Sequence, residues 1–269
     1  MKVKRSRWLK WMAVIVIIYI SVGFILYFIQ DMLLFHPKAV SRDHHYNFPH
    51  PYQEMNIPFQ EQNLSIIKFY PEEQAKGCVL FYHGNMHNVE HYARYPSVFL
   101  KNGYAVWMID YPGFGKTTGK RTEAIINEQA LLMYDLALKE FKQAEKITIY
   151  GKSIGTGIAS YVASQKTNRQ LVLETPYYSM TKLAKNYFPV YPAKALIRYK
   201  FPSNIYLRNI QSPVTLLHGT EDEIIPFRQA KKLKEEIPRL SLIAIENGKH
   251  NNLLNIPFFR DKLDSLLTN

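Results

Sequence analysis

The sequence predicts an α/β fold, with a mostly parallel sheet of eight strands and helices on both faces. From residue 53 onward, short apolar runs alternate with longer segments of helical periodicity. This alternation is typical of strands joined by right-handed crossover helices. The middle runs, GCVLFYH (77–83) and AVWMID (105–110), are almost entirely apolar, as expected of strands buried on both faces of a parallel sheet.

The elements follow in chain order. TEAIINEQALLMYDLALKEF has apolar residues at i, i+3 and i+4 and opens on Thr122, a suitable helix N-cap. Segment 177–208 is rich in Tyr, Pro and Lys and breaks the alternation, so we expect a small cap insertion within one domain, 53–269. The predicted strands are 54–59, 64–70, 77–83, 105–110, 146–150, 170–174, 213–218 and 241–246. The predicted helices are 90–102, 122–141, 154–166, 226–237 and 252–267.

Residues 11–30 precede this domain and carry no charge. A helix of this length spans about 30 Å, the thickness of a bilayer's hydrocarbon core. The ten residues before it contain no acid and five cations, Lys2, Lys4, Arg5, Arg7 and Lys10. By the positive-inside rule we predict a cytoplasmic tail (1–10), a transmembrane anchor (11–30), a linker (31–52) and a main domain on the extracytoplasmic side.

A cleaved signal peptide is the alternative for residues 11–30. Its apolar region is usually about 7–15 residues long and is followed by small residues at the cleavage site. Here the apolar run is longer, and DMLLFHP follows it without such a site. The pattern favours an uncleaved signal-anchor of a single-pass membrane protein.

The formal net charge of +12 comes partly from this terminus and partly from residues 175–220, which contain no Asp or Glu. That stretch interleaves Lys and Arg with aromatic residues. Such a pattern binds nucleic acid or an anionic membrane surface, or forms a solvated cap. No nucleic-acid-binding motif accompanies it, so we predict no nucleic acid partner, and the other two interpretations stay open.

Two stretches imitate the end of a nucleotide-binding P-loop, IYGKSIGTG and DYPGFGKTTG. A P-loop requires G-x-x-x-x-G-K-[ST], because the first glycine begins the loop that wraps the phosphates. The corresponding positions hold Lys146 and Asp110. The spacing therefore argues against phosphate binding at either stretch.

Ser153 lies in a context that predicts a nucleophile. KITIY is a predicted strand, GKSIG follows at once, and TGIASYVASQ is a predicted helix. This is the strand–turn–helix setting of the G-x-S-x-G nucleophile elbow, whose strained serine projects its hydroxyl from the turn. Gly151 and Gly155 fit because side chains there would clash across the turn.

A serine nucleophile needs a base and an acid, which follow in the order Ser–acid–His in such folds. Asp222 comes just after a predicted strand, and His250 comes just after the last one. His250 would take the proton from the serine, and Asp222 would hold the imidazole tautomer. Other carboxylates remain open as the acid: Glu221, Glu223 and Glu174.

The oxyanion of an acyl-transfer intermediate needs two N–H donors. We expect one from Ile154, the residue after the nucleophile, and one from Asn85 in the loop YHGNMHN. Gly84 should let that loop turn sharply. His83, His87 and His91 are spaced by four, but His83 should end a strand and no H-E-x-x-H is present, so we predict no metal site.

Six ordered motifs resemble those of the α/β-hydrolase superfamily: FYHGN, DYPGFGKTTG, GKSIG, ETPYYS, HGTEDEIIP and GKHNNL. The chain is similar to small membrane-anchored members near the serine-aminopeptidase-like and acyl-thioesterase branches, over nearly its whole length. The resemblance implies the α/β-hydrolase fold. It also implies nucleophile, acid and base roles for Ser153, Asp222 and His250, and an oxyanion hole from Asn85 and Ile154.

The expected function is a serine hydrolase that cleaves ester or thioester bonds through an acyl-enzyme, without a cofactor. The aromatic residues of 177–208 indicate an apolar acyl substrate. A peptidase or amidase, and a non-catalytic binding protein at the membrane, are the alternatives. Lys152 precedes the nucleophile and would either favour anionic substrates or face solvent.

Overall fold

The structure is a computed structural model that describes the backbone of residues 2–268 and the side chains of residues 7–268. The predicted eight-stranded sheet is confirmed, and each of its strands begins and ends within two residues of the predicted limits. A separate pair of very short strands is added. The strands are β1 (His36–Pro37), β2 (Gln53–Phe59), β3 (Gln62–Phe69), β4 (Gly77–Tyr82), β5 (Met86–His87), β6 (Tyr104–Ile109), β7 (Ile147–Lys152), β8 (Gln170–Glu174), β9 (Val214–Gly219) and β10 (Ser241–Ile245).

The main sheet has the strand order β10-β9-β8-β7-β4-β6-β3-β2. All neighbours from β10 to β6 are parallel, whereas β3 is antiparallel to both β6 and β2. β7 lies between β4 and β8 near the middle of the sheet. Residues that follow β7 therefore meet residues that follow its parallel neighbours at one sheet edge.

The helices connect these strands. Thr122 caps the long helix α4 as predicted, because its side chain accepts a hydrogen bond from the Ile125 amide at 3.2 Å. The α-helices are α1 (Lys2–Phe28), α2 (Gln30–Leu34), α3 (Tyr95–Leu100), α4 (Glu123–Phe141), α5 (Gly155–Gln165), α6 (Met180–Tyr187), α7 (Ala193–Leu196), α8 (Ser203–Tyr206), α9 (Arg228–Glu236) and α10 (Pro257–Thr268). Short 3-10 turns are Val89–Tyr92, Ala144–Lys146, Leu207–Asn209 and Leu253–Asn255.

Two predicted helices, 90–102 and 252–267, are wrong as continuous elements. Each consists of a 3-10 turn followed by a separate α-helix, α3 or α10. Both α-helices begin beside a proline, Pro96 or Pro257. Proline lacks an N–H and fits only in the first turn of a helix, so the chain starts a new helix there.

Alternate residues of the central strands face opposite sides of the sheet. Along β4, Cys78 and Leu80 pack in the core that includes α4, α5 and α9, whereas Val79 and Phe81 pack in the core that includes α3 and α10. All four side chains are fully buried. A strand covered by helices on both faces needs apolar residues at every position.

Helix α1 stands apart from this core. Its segment Arg7–Phe28 has a mean hydropathy of 2.4 over its most apolar window, which is only 6% buried. Among the described residues it is the one helix long and apolar enough to cross a membrane. The helix ends two residues before the predicted limit of 30. The side chains of Lys2, Lys4 and Arg5, on which the predicted cytoplasmic tail partly depends, lie outside the described residues.

The predicted linker, residues 31–52, packs on the main domain. Within it, β1 pairs in parallel with β5. Phe35 and Tyr46 are buried in the two cores, with 2% and 4% of their surfaces exposed. The segment is therefore part of the folded body and not a free tether between α1 and the main domain.

Segment 177–208, called the cap below, contains α6, α7 and α8. Its lysines are exposed. Its aromatic residues fall into three groups: Tyr177, Tyr199 and Phe201 are buried, Tyr187 and Phe188 are exposed, and Tyr178, Tyr191 and Tyr206 are half-buried. The buried group joins the core of α4 and α5, so the cap is packed on the same body as the sheet.

Candidate active site

Ser153 lies in the tight turn between β7 and α5. Its φ of +53° is in the left-handed region, which costs a residue other than glycine about 1–3 kcal/mol. The Ser153 amide donates to the Glu174 carbonyl oxygen at 2.9 Å, and its carbonyl accepts from the Thr156 amide at 2.9 Å. These bonds hold the strained turn and leave the hydroxyl directed out of it.

The two glycines that flank this turn are required by space. A Cβ at Gly151 would lie 2.6 Å from the Gly155 carbonyl oxygen. A Cβ at Gly155 would lie 2.1 Å from the carbonyl oxygen of Tyr82 in the adjacent strand. Both contacts are with backbone atoms that cannot move aside. The clash across the turn that the sequence predicts is therefore present at Gly151, whereas Gly155 is required by the neighbouring strand β4.

The structure brings Ser153, His250 and Asp222 together although they lie far apart in the chain. His250 Nε2 lies 2.9 Å from the Ser153 hydroxyl, and His250 Nδ1 lies 2.8 Å from Asp222 Oδ2. The three residues follow β7, β10 and β9 respectively, and all three are buried. This series can carry a proton from the hydroxyl to the imidazole beside a fixed carboxylate.

Asp222 is held by more than the imidazole. Its Oδ1 accepts from the Ile224 and Ile225 amides at 2.9 and 2.7 Å, and His218 Nε2 lies 3.3 Å from Oδ2. Burial alone would raise the pKa of the Asp222 carboxyl, but the hydrogen bonds from His218 and His250 outweigh it and hold the pKa well below its ordinary value. The Asp222 carboxylate is therefore charged in the folded protein at neutral pH.

The other carboxylates considered for the acid are placed elsewhere. Glu221 and Glu223 are exposed. Glu174 is buried at the end of β8 but contacts a different set of groups. Among the described ion pairs, the carboxylate beside His250 is that of Asp222.

Of the two interpretations left open for Lys152, the structure excludes the solvent-facing one, because its side chain is buried. It is 6% exposed, and its Nζ lies 2.5 Å from Glu174 Oε1 and 3.2 Å from the His250 carbonyl oxygen. The hydroxyls of Tyr95 and Tyr150 donate to the same carboxylate. The group forms a buried polar cluster directly behind Ser153 and His250.

A signal for this cluster exists in the sequence. Lys152 and Glu174 both end apolar strands, and β7 and β8 pair them in register. Opposite charges at the ends of adjacent buried strands are best placed as a pair. His218, unlike Lys152 and Glu174, was not considered in the sequence interpretation. It lies within HGTEDEIIP, the motif that also contains Asp222.

The loop after β4 carries Asn85. Its carbonyl accepts from the His36 amide, and its side chain donates to the Leu34 carbonyl oxygen, both at 2.9 Å. The amides of Asn85 and Ile154 donate in none of the described turn and loop hydrogen bonds. Both residues line one pocket with Ser153, so their N–H groups are available to a ligand there.

Glycine is required at position 84 for a different reason from the one expected. Its φ is not in the left-handed region, so no sharp turn requires glycine. A Cβ at this position would instead lie 2.7 Å from the Tyr92 hydroxyl oxygen. Close packing of Tyr92 on the loop excludes a side chain.

The three histidines at 83, 87 and 91 do not share a helix, as predicted. They lie at the end of β4, in β5 and in a 3-10 turn. His83 is fully buried, with Nδ1 2.7 Å from the Gly84 carbonyl oxygen and Nε2 3.3 Å from Asp110 Oδ1. Among the described side chains, those of residues 7–268, no group of three or more His, Cys, Asp or Glu is arranged to hold a metal ion.

A pocket of about 360 Å³ opens above Ser153. Its walls are almost entirely apolar and come from three parts of the chain. These are the end of α1 with α2, the cap, and the loops beside Ser153 that carry Ile154, Ile224 and Ile225. The pocket can hold an apolar chain whose end lies at the serine hydroxyl.

Comparison with known proteins places the chain in a family. The family described as "Serine aminopeptidase, S33" matches residues 73–204. Protein bem46 of Schizosaccharomyces pombe is 30% identical over 234 residues, which are 80% of this chain and 77% of bem46. The lysophosphatidylserine lipase ABHD12 of Danio rerio is 26% identical over 185 residues, 60% of this chain and 47% of that protein. The chain thus spans about half the length of the ABHD12 relatives it matches.

Solved structures agree on the fold. Est1E from Butyrivibrio proteoclasticus superposes with a TM-score of 0.66 at 16% identity, over 80% of this chain and 97% of Est1E. By its match to bem46 and to the family model, the chain belongs to the α/β-hydrolase superfamily.

Proposed function

We propose that this protein cleaves carboxylic ester or thioester bonds of apolar acyl compounds through an acyl-enzyme on Ser153. The observation that carries the proposal is the hydrogen-bonded series of Ser153, His250 and Asp222 at the end of an apolar pocket. A relative is named a lysophosphatidylserine lipase, which supports a lipid ester as the substrate.

The geometry supports the following steps. The Ser153 hydroxyl attacks the carbonyl carbon while His250 Nε2 takes its proton, and the Asp222 carboxylate stabilises the resulting imidazolium. The N–H groups of Asn85 and Ile154 donate to the oxyanion. His250 then protonates the leaving alcohol or thiol, and the acyl group stays on Ser153. Water, deprotonated by His250, releases the acid. This chemistry requires no cofactor.

The pocket supports an apolar acyl group. It is lined by aliphatic and aromatic side chains of the cap, among them Met180, Leu183 and Leu196. Burial of each methylene of an acyl chain contributes about 0.8 kcal/mol. We therefore expect kcat/KM to rise with acyl length until the pocket is filled.

We further propose that α1 anchors the enzyme in the membrane with its N-terminus in the cytoplasm. The uncharged span and the cations before it support this orientation. A reporter that works only outside the cytoplasm should be active when it is fused after residue 269. Activity of a cytoplasm-specific reporter at that position would contradict the topology.

Activity-based labelling tests the reaction class. A fluorophosphonate should label the full chain in detergent, and Ser153→Ala should abolish labelling. Ser160→Ala is the matched control, because that serine is buried in α5 and its hydroxyl only donates to the Thr156 carbonyl oxygen. An unlabelled wild-type protein would favour the alternative of a non-catalytic binding protein at the membrane.

A peptidase or amidase is the second candidate, because the matching family is described as a serine aminopeptidase. Competition distinguishes the two functions. Long-chain ester or thioester competitors should block fluorophosphonate labelling at lower concentration than peptide amides do. The reverse order would favour the peptidase.

A further inference from the structure

Helix α1 touches the cap halfway along its apolar span. The rings of Tyr19 and Tyr191 stack at 4.7 Å between centroids and 5° between planes. The Tyr19 hydroxyl donates to the Val190 carbonyl oxygen at 2.8 Å, and the Tyr191 hydroxyl donates to the Tyr19 carbonyl oxygen at 3.2 Å. Gly23 permits this approach, since a Cβ there would lie 3.2 Å from the Tyr191 ring.

The position of Tyr19 sets the depth of the cap. At about 1.5 Å per residue, Tyr19 lies about 18 Å from Arg7 and about 14 Å from Phe28 along the helix. A bilayer's hydrocarbon core is about 30 Å thick. If Arg7–Phe28 spans the membrane, Tyr19 lies inside the hydrocarbon, and the cap residues in contact with it lie there too.

The chemistry of this part of the cap fits such a position. Residues 187–193, called the cap tip, carry no charge. Tyr187, Phe188 and Val190 expose 54%, 41% and 71% of their surfaces. Lys185 and Lys194 flank the tip and are exposed, where long cationic side chains reach the headgroup region of a bilayer.

The pocket connects this depth with Ser153. One wall is formed by Leu26 and Leu33 near the end of the anchor, and the facing wall by cap residues such as Tyr191 and Leu196. Gln30 joins the two walls, as it donates to the Leu196 carbonyl oxygen and accepts from the Arg198 amide, both at 2.8 Å. The apolar lining thus runs from the level of the helix to the nucleophile.

We propose that the cap tip is immersed in the same leaflet as the second half of α1, and that single-chain lipid esters reach Ser153 from that leaflet by passing between α1 and the cap. The lipid is drawn up until its carbonyl reaches the serine, while its chain stays in apolar surroundings. No stage exposes the acyl chain to water, so transfer avoids the cost of hydrating it. This inference rests on the proposed lipid-ester hydrolase function and on the membrane span.

Depth measurement tests the immersion without any catalysis. The only cysteine, Cys78, is fully buried, so an environment-sensitive fluorophore can be attached to Val190→Cys in the full chain. In phosphatidylcholine–phosphatidylglycerol vesicles, its emission should be blue-shifted and quenched by lipids that carry a nitroxide on the acyl chain. Gln143→Cys is the control, because that exposed residue precedes β7 and lies at the sheet edge opposite Ser153. Equal, water-like emission from both labels would overturn the proposal.

Activity tests the entry route. Val190 does not line the pocket, and Val190→Asp adds a charge to the tip that hydrocarbon disfavours. We expect hydrolysis of a palmitoyl monoglyceride in vesicles to fall about tenfold or more, hydrolysis of a water-soluble butyrate ester to be unchanged, and Val190→Leu to behave like the wild type. An equal loss on both substrates would overturn the entry route. If the wild type cleaves neither substrate, the proposed function fails, whereas the quenching result still decides the immersion.

Discussion

The two sides of the pocket are held in different ways. On the side of the sheet, Ser153, His250 and Asp222 are joined by hydrogen bonds of 2.9 and 2.8 Å between the loops that follow the strands, and the Lys152–Glu174 pair lies behind them. On the side of the cap, the walls are apolar, and the described hydrogen bonds between the cap and α1 are those of Tyr19 and Tyr191. In the proposed function, the chemistry thus depends on a polar network, while the choice of substrate depends on packing. The two should be separable by mutation.

The largest loss should come from the polar side. Ser153→Ala removes the proposed nucleophile, and we expect kcat for any ester to fall by about 10⁴-fold or more. The loss should be the same for short and long acyl chains, because the cap is unchanged. Steady-state kinetics with butyrate and palmitate esters measure it. A loss limited to one chain length would contradict the division of roles.

The second-largest loss of activity should come from Asp222→Asn. An amide cannot stabilise the imidazolium and favours the wrong tautomer of His250, so we expect kcat to fall by about 10³–10⁴-fold. Glu221→Gln is the matched control, since Glu221 is exposed beside it and should retain activity. If both variants lose activity equally, the acid is not Asp222.

The same carboxylate should make stability depend on pH. Its pKa is lower in the folded protein than its value in an unfolded chain, about 3.9, because hydrogen bonds from His218 and His250 overcome the effect of burial. The stabilisation is complete above about pH 4 and is lost as the pH falls through the folded pKa. Thermal unfolding in detergent should show wild type and Asp222→Asn converging as the pH is lowered below 4. A difference that grows on acidification would have the wrong sign.

The buried pair behind the nucleophile can be weakened directly. Lys152→Met leaves Glu174 buried without its cation, which should destabilise the fold by about 3 kcal/mol. The double variant Lys152→Met/Glu174→Gln should recover most of that loss. Lys166→Met breaks the partly exposed pair with Asp135 and should cost less than about 1 kcal/mol. Chemical denaturation measures all three, and equal costs for the two single variants would show that Lys152 is not a buried ion-pair partner.

The smallest effect should come from the cap side. Tyr19→Ala removes a stacked ring and a hydrogen bond to the cap, so we expect kcat/KM for palmitate esters to fall about fivefold and that for butyrate esters to be unchanged. Phe24→Ala is the control, because Phe24 is 65% exposed and, among the described ring pairs, contacts only Phe28. A similar change in both variants would mean that the helix acts through general hydrophobicity and not through the cap.

Sequence patterns predicted the sheet because the hydrophobicity that marks each strand lies within a short run of consecutive residues. The apolar runs, the turn glycines and the order of Ser153, Asp222 and His250 can all be read along the chain. The burial of Lys152 depends on more than a local pattern. Both charges at the strand ends can be read along the chain, but only the pairing of β7 with β8 brings Glu174 beside Lys152. The contact of Tyr19 with Tyr191 joins segments more than 170 residues apart, and no local pattern encodes it.

The pairing of β1 with β5 has a practical consequence. The His36 amide donates to the Asn85 carbonyl oxygen, and the Asn85 side chain donates to the Leu34 carbonyl oxygen. The loop that carries Asn85, a proposed oxyanion donor, is therefore tied to Leu34 and His36, at and just after the end of α2. A chain that begins before Gln30 should keep this tie, whereas a chain shortened to residue 53 would lose it together with the proposed anchor α1.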